Sequence, residues 1–331
     1  MSNSFGGVGA LTKLAIGPTG GTISRMDFLE FTPQIVKTLA DGSTKAIRGT
    51  LDHQQTSVAE GLLHVRFRTK MYVTSTIMDI LWPQLGVTLT SYTGTLADSL
   101  PDTDVILGCP GVKEQLFTKC IPTDWVMYGA HGTDPIIIDI GWEGRAWSEQ
   151  ANGTFFVSQT NPALVEGYTY PFAAGSASGN ASMLTFPLGT YTGPVGFPQF
   201  RLHMDYKVVA EYNNSITPTN LMPTDHVLRF ATSVLYNPID SGSSTPSTET
   251  FFDTPMSGDV TGAQLILNFQ RAAPFASPGN YQTTLTVANM KAIARPPRIS
   301  KHDYVRLPIN LEGYASGGSP LLTVVNKTNH A

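Results

Sequence analysis

Apolar and polar residues alternate with a period of two over much of the chain. From His64 to Val73, the side chains of Val65, Phe67, Thr69, Met71 and Val73 fall on one face and those of His64, Arg66, Arg68, Lys70 and Tyr72 on the other. That is the pattern of a strand half-buried against a core. The stretch Phe200 to Val208 repeats it, with Phe200, Leu202, Met204, Tyr206 and Val208 inward and Arg201, His203, Asp205 and Lys207 outward. Such two-sided strands fit the wall of an antiparallel sandwich or barrel. One stretch breaks the alternation. A helix is predicted near 75–82, capped by Thr74 or Ser75, running through Ile77, Ile80 and Leu81, and stopped at Pro83 before Gly86. In the second half, STETFFDTPMSG (247–258) holds the same place after its strand, with Ser247 or Thr248 as cap and Pro255 as breaker. Residues 89–115 read as a long loop and 240–249 as a small-residue loop. The stretch 147–183, rich in Gly, Ser and Ala, reads as a binding loop, with 172–182 reading equally as a linker between repeats.

The alternation also recurs on a larger scale. IIIDIGWEG (136–144) and VRLPINLEG (305–313) stand 169 residues apart, which lays Ile136, Ile138, Ile140 and Trp142 on Val305, Leu307, Ile309 and Leu311. The same offset carries Leu116 onto Leu285. Upstream, HVRFRTKMYV (64–73) matches HVLRFATSVL (226–235) at an offset of 162, and LTKLAIGPTGG (11–21) weakly matches LTFPLGTYTGP (184–194) at 173. A single match between strands carries little weight, but four in the same order point to a divergent tandem duplication. The expectation is a mainly β fold of two tandem antiparallel β-sandwich or barrel repeats, 1–165 and 166–331, each with a short flanking helix.

Composition agrees with β structure and removes several function classes. The 331 residues include 39 Thr, 31 Gly and 23 Pro, while charged residues make up only 14% against about 25% in an ordinary globular protein. No apolar run is long enough for a transmembrane helix, and MSNSFGGVGALTKL lacks the charged and apolar regions of an export signal. The formal charge of −4 has the wrong sign for a protein that grips nucleic acid by neutralising phosphates. Two cysteines, Cys109 and Cys120, have no metal-type spacing and read as independent reduced thiols.

The usual catalytic signatures are missing. There is no G-x-S-x-G, phosphate-binding loop, H-E-x-x-H or C-x-x-C, and the seven histidines are scattered. HGTD at 131–134 reads as a turn between strands. Asp102 with Asp104, and Asp139 with Glu143, read as turn and strand charges rather than an acid/base pair. Arg66, Arg68 and Lys70 form a basic strip whose three readings are a DNA-facing stripe, an acceptor for a neighbouring subunit's acids, or a solvated face. No catalysis, metal or cofactor is expected.

The order of motifs does resemble a family. The strand EGLLHVRFRTKMYV, the helix TSTIMDILWPQLG, a loop, and then LFTKCIPTDWVMYGAHGTDPIIIDIGWEG look like the major tail tube proteins of long-tailed bacteriophages. RLHMDYKVVAEYNNSITPTNLMPTDHVLRFATSVLY (201–236) and LTVANMKAIARPPRISKHDYVRLPINLEGYASGGSPLLTVVN (285–326) extend the resemblance over nearly the whole chain, apart from 89–115 and 147–183. The resemblance implies a virion protein assembled in the bacterial cytoplasm. Its β-sandwich subunits join one sheet each into a barrel around a lumen, and the rings stack into a tube that conducts double-stranded DNA. With a duplicated domain, three chains would supply a pseudo-hexameric, homotrimeric ring. The implied partners are copies of the chain, a tape measure protein inside, and terminator and distal tail proteins at the ends, with DNA passing transiently. Candidate residues for the lumen or an inter-subunit face are Arg66, Arg68, Lys70, Arg201, Asp205 and Lys207. A lumen that lets DNA slide should sum to zero or negative charge, with the basic strip offset by acids or turned away. The alternatives are a non-polymerising ring of the distal tail or baseplate hub and a duplicated β-sandwich adhesin; the adhesin would display an aromatic platform drawn from Trp125, Trp142 and Trp147.

Overall fold

The computed structural model describes residues 12–41, 58–108, 113–131, 135–156, 162–165, 167, 169–172, 182–186, 189–192, 197–235, 262–272, 280–293 and 306–327. The fold is mainly β. In chain order the first elements are β1 (Lys13–Pro18), β2 (Ser24–Met26), β3 (Glu30–Asp41), β4 (Val58–Tyr72), α1 (Ser75–Gln84), β5 (Val87–Thr90) and β6 (Thr93–Leu96). There follow β7 (Thr103–Gly108), β8 (Glu114–Ala130), β9 (Ile137–Gly144), β10 (Ala146–Gln150), β11 (Leu164–Val165), β12 (Met183–Phe186) and β13 (Gly189–Thr192). The last six are β14 (Gln199–Glu211), β15 (Asn220–Leu235), β16 (Ala263–Ala272), β17 (Asn280–Ile293), β18 (Arg306–Gly313) and β19 (Thr323–Lys327).

Eight strands pair antiparallel in the order β3-β4-β9-β8-β14-β15-β18-β17. The first four and the last four have the same internal order, and the joint between them is β8 against β14. Cross-strand partners also correspond. Thr69 lies between Phe31 and Ile140, and Thr232 between Phe200 and Ile309. Phe67 faces Trp142, as Phe230 faces Leu311. By these partners, residues of β4 and β15 in like places in the sheet stand 163 apart, where the sequence match ran at 162. One residue of slip moves every side chain to the other face of the sheet; at 163 the buried Phe67 and Thr69 meet the buried Phe230 and Thr232.

Two further sheets cover this one. The first runs β11-β2-β1-β7-β8-β10 and the second β13-β12-β16-β17-β19-β6-β5. The long strands β8 and β17 belong to both layers, and each is irregular where it crosses. Lys119 has a positive φ of 50°, and the pairing of β16 with β17 shifts between Val287 and Met290. Such bulges bend a strand at the cost of its register. They also undo the gap-free alignment of Leu116 with Leu285. Leu285 is fully buried in the main core, whereas Leu116 packs on the other side against Ile106 and Phe156, and its neighbour Phe117 enters the main core.

The helix packs between the layers. The Thr74 hydroxyl accepts from the Ile77 N–H at 3.1 Å, the N-cap arrangement the sequence announces. Pro83 does not stop the helix but lies inside it. The Leu85 N–H still reaches the Leu81 carbonyl at 2.9 Å, and Gly86, with φ of 81°, turns the chain out. Ile77, Met78, Leu81 and Trp82 are buried, each contributing about 1.5–3 kcal/mol by leaving water. One contiguous core joins residues from Leu14 to Val324, and β6 of the first half pairs with β19 of the second. The two halves of the chain therefore share this main core.

The stretch 89–115, read as a long loop, contains the end of β5, all of β6 and β7, and the first residues of β8. Strand β7 was hidden because both of its faces are apolar: Val105 and Leu107 enter the main core while Ile106 meets Ala15 and Phe156. The expected helix at 247–258 and the loop at 240–249 lie outside the described residues. Residues 147–183 include β10 and β11, with 157–161 and 173–181 outside the described residues.

Candidate functional site: a charge-paired sheet face

The eight-strand sheet has one face on the core and one facing away from it, and all six candidate residues sit on the second. Alternation puts them there. In β4, Val65, Phe67 and Met71 are buried, so Arg66, Arg68 and Lys70 point outward; in β14, Phe200, Leu202, Met204 and Tyr206 are buried, so Arg201, Asp205 and Lys207 do the same.

The basic strip is answered by acids from β9, β8 and β3. Arg68 grips Asp124 with two nitrogens, at 2.9 and 3.1 Å, and turns its Nε to Asp139 at 3.0 Å. Arg66 Nη2 lies 3.2 Å from Glu143, and Lys70 Nζ 4.0 Å from Glu30. The expected offset of the strip by acidic neighbours is present. Burial works against the charge on Arg68, but the hydrogen bonds and charges of Asp124 and Asp139 outweigh it and raise its pKa. A hydrogen bond to Tyr128, with the charge of Glu30 behind it, raises Lys70.

Gly141 makes the Arg68 cluster sterically feasible. It sits on β9 opposite both Arg68 and Asp124, and a Cβ built there would overlap Asp124 Oδ1 and press on the Arg68 guanidinium. Asp139, Gly141 and Glu143 alternate along one strand face, so the sequence carried this signal in IIIDIGWEG. What it hid was the partner of each of its charges, 71 and 77 residues away.

The second half of the face is more sparsely paired. Lys207 meets Asp225 at 2.7 Å and Arg229 meets Glu312 at 3.4 Å. The Lys207 charge lowers the Asp225 pKa, and Asp225 raises that of Lys207. Arg201 and Asp205 flank the joint with β8, opposite Tyr128 and Asp124. His203 between them is lowered, first by burial. Exposed pairs of this kind contribute little to stability, so they set the potential of the face more than the stability of the fold.

The other sequence candidates occupy structural places. Asp102 bonds Arg145 at 3.1 Å, and Asp104 accepts from Thr19 and from the Lys119 N–H. His131 ends β8 with its Nδ1 3.4 Å from the Phe172 carbonyl; Gly132 to Asp134 lie outside the described residues. Cys120 is a free, fully buried thiol whose pKa burial pushes up, and Cys109 lies outside the described residues. Trp125 and Trp142 are buried and donate to Tyr206 and Thr69, at 3.1 and 2.9 Å; Trp147 is partly buried against the core. They form no exposed platform. A groove of about 490 Å³ at the end of the β8–β14 joint is lined by Tyr128, Ile137, Gln199 and Arg201, and among the described residues its ionisable groups are the Tyr128 phenol and the Arg201 guanidinium. Among the described residues no group of three His, Cys, Asp or Glu could hold a metal, and no helix is long and apolar enough to cross a membrane.

No protein-family model matches the chain, and neither does any curated protein.

Proposed function

We propose that this chain is the major subunit of a long-tailed phage tail tube, a structural protein whose work is to assemble into stacked rings and conduct DNA. The observation that carries the reading is the eight-strand sheet, in which one four-strand order occurs twice, end to end. On this reading the chain is a tandem duplication, and each half supplies one wall segment of a barrel. Three chains supply 24 strands. At about 4.8 Å per strand and a tilt of about 40°, a barrel of that size closes at a backbone diameter of about 48 Å, wide enough for duplex DNA once side chains line it. A barrel half that size, about 24 Å across its backbone, would be too narrow for the duplex once side chains line it.

The outward face supports the same reading. A wall on which Arg66, Arg68, Lys70, Lys207 and Arg229 each sit beside a carboxylate has few charges free to neutralise phosphates, so little counterion release holds the duplex in place. The partners on this reading are further copies of the chain, a tape measure protein within, and terminator and distal tail proteins at the ends. The chain's role is mechanical and not enzymatic.

Negative-stain electron microscopy of the concentrated protein tests this. Hollow tubes with a regular ring repeat are expected. Particles that stay monomeric at every concentration would overturn the reading, and single closed rings would move it to a hub component.

A further inference from the structure

We propose that Asn152–Gly153 is a deamidation site held unreactive in the folded chain by the carboxylate of Glu114, and that release of this hold converts Asn152 to aspartate and isoaspartate, with water as the only co-reactant. This chemistry is independent of how copies of the chain assemble.

The site is a turn laid over the start of β8. Within Ala151–Thr154, the Thr154 N–H and hydroxyl both donate to the Ala151 carbonyl, at 3.2 and 2.7 Å. Gly153 has a φ of 83°, the left-handed value that the third residue of a type II turn requires. Asn152–Gly153 is the one Asn-Gly pair in the sequence, and both residues are exposed. With no Cβ beside it, a glycine nitrogen is the least hindered nucleophile that can follow an asparagine.

Glu114, the first residue of β8, is 1% exposed and lies under this turn. Its Oε1 accepts from the Gly153 N–H at 2.9 Å and from the Phe156 N–H at 3.3 Å, and its Oε2 accepts from the Phe155 N–H at 2.6 Å. Hydrogen bonds to a carboxylate are among the stronger ones a backbone amide makes. Phe156 fixes the far end of the strap 151–156. Its ring packs on Ala15 and Ile106, so close to Gly108 that a Cβ built there would overlap it.

Deamidation begins when the Gly153 nitrogen gives up its proton and attacks the side-chain carbonyl carbon of Asn152. A succinimide ring closes, and the side-chain nitrogen leaves as ammonia with that proton. Water then adds to one of the two ring carbonyls and opens the ring to aspartate or to isoaspartate, in which the main chain runs through the side-chain carbon. The first step needs the Gly153 nitrogen to swing about the Cα–C bond of Asn152 towards the side chain. In the folded chain its hydrogen is tied to Glu114, and the turn on one side and the Phe155 and Phe156 bonds on the other hold the backbone around it. Attack therefore waits for the strap to lift. The product does not fit back: isoaspartate lengthens the main chain by a methylene, and either product adds a negative charge one residue from the amide that Glu114 holds. Lifting uncovers Ala15 and Ile106, 0% and 1% exposed in the closed form, so the modification makes a transient opening permanent.

Peptide mapping by mass spectrometry tests this on the full chain, incubated at neutral pH in heavy-oxygen water. The Asn152 peptide is expected to deamidate at least about tenfold more slowly in the folded chain than in the same chain unfolded in guanidinium chloride, with one oxygen of the product drawn from the water. Glu114→Gln should remove most of that protection and leave the circular dichroism unchanged, because glutamine offers the three N–H groups one oxygen in place of two. Should that variant not fold, Phe156→Ala, which frees the far end of the strap, is read in its place. Deamidation of the folded, unaltered chain at the unfolded rate would overturn the proposal. So would a folded variant that is as slow as the unaltered chain, or an Asn152 peptide that keeps its amide even when unfolded.

Discussion

The first four strands of the long sheet and the last four meet the core alike and face away from it differently. Inward, Phe31, Phe67 and Thr69 have their counterparts in Phe200, Phe230 and Thr232, with the same cross-strand neighbours. Outward, the first half builds a three-strand ion cluster around Arg68 over a glycine, while the second has Asn310 at the glycine's place and single pairs at Lys207 and Arg229. Packing explains the contrast. An inward side chain is held by neighbours on every side, and a change of one methylene is felt; an outward one needs only solvent and a compatible charge. On the proposed duplication, the core pattern is the part the two halves share, and the two outer faces are free to differ.

The comparison breaks first in the core. Phe67→Ala and Phe230→Ala should each cost about 3–5 kcal/mol in denaturant unfolding, in one cooperative transition, because both rings belong to one cluster. Two transitions, with each mutation moving only one, would mean the halves are independent domains.

Alkaline pH comes next. Burial raises the pKa of Cys120, Tyr170 and Tyr206 from ordinary values of 9.0, 10.0 and 10.0, so the folded state holds protons that the unfolded chain releases. Stability should be level below about pH 9 and fall above it, first through the thiol and then through the phenols. Cys120→Val should move the onset towards pH 10 in melts across pH 8–11; an unchanged onset would remove the thiol from the account.

Smaller differences separate the outer faces. Gly141→Ala should cost about 1–3 kcal/mol by crowding Asp124 and Arg68, whereas Asn310→Ala should stay within about 0.5 kcal/mol. Equal effects would mean that the cluster tolerates a Cβ. Smallest is charge removal. Arg68→Ala and Arg229→Ala should each cost about 1 kcal/mol or less, the former more because it loses two carboxylates, and added salt should narrow the gap.

The half-buried strands were the legible part of this fold. β4 and β14 announce themselves because each has one wet face, and α1 because Thr74 and the apolar spacing after it have no strand reading. β7 was illegible for the opposite reason, since Ile106 finds a small second cluster on the outer side and erases the alternation. The sequence match of β4 to β15 joins His64 to His226, which stand on opposite faces of their strands, so it differs by one residue from the places the two strands hold in the sheet. The basic strip was visible, but its neutralisation was not, because Asp124 reaches Arg68 only through the order of the sheet.

The most direct test of the account is the number of chains in a ring, counted by native mass measurement of assembled rings alongside the symmetry of averaged end-on images. Three chains per ring, with a pseudo-six-fold outline that resolves to three-fold symmetry, is the predicted result. Six full-length chains, giving twelve four-strand units, would contradict it.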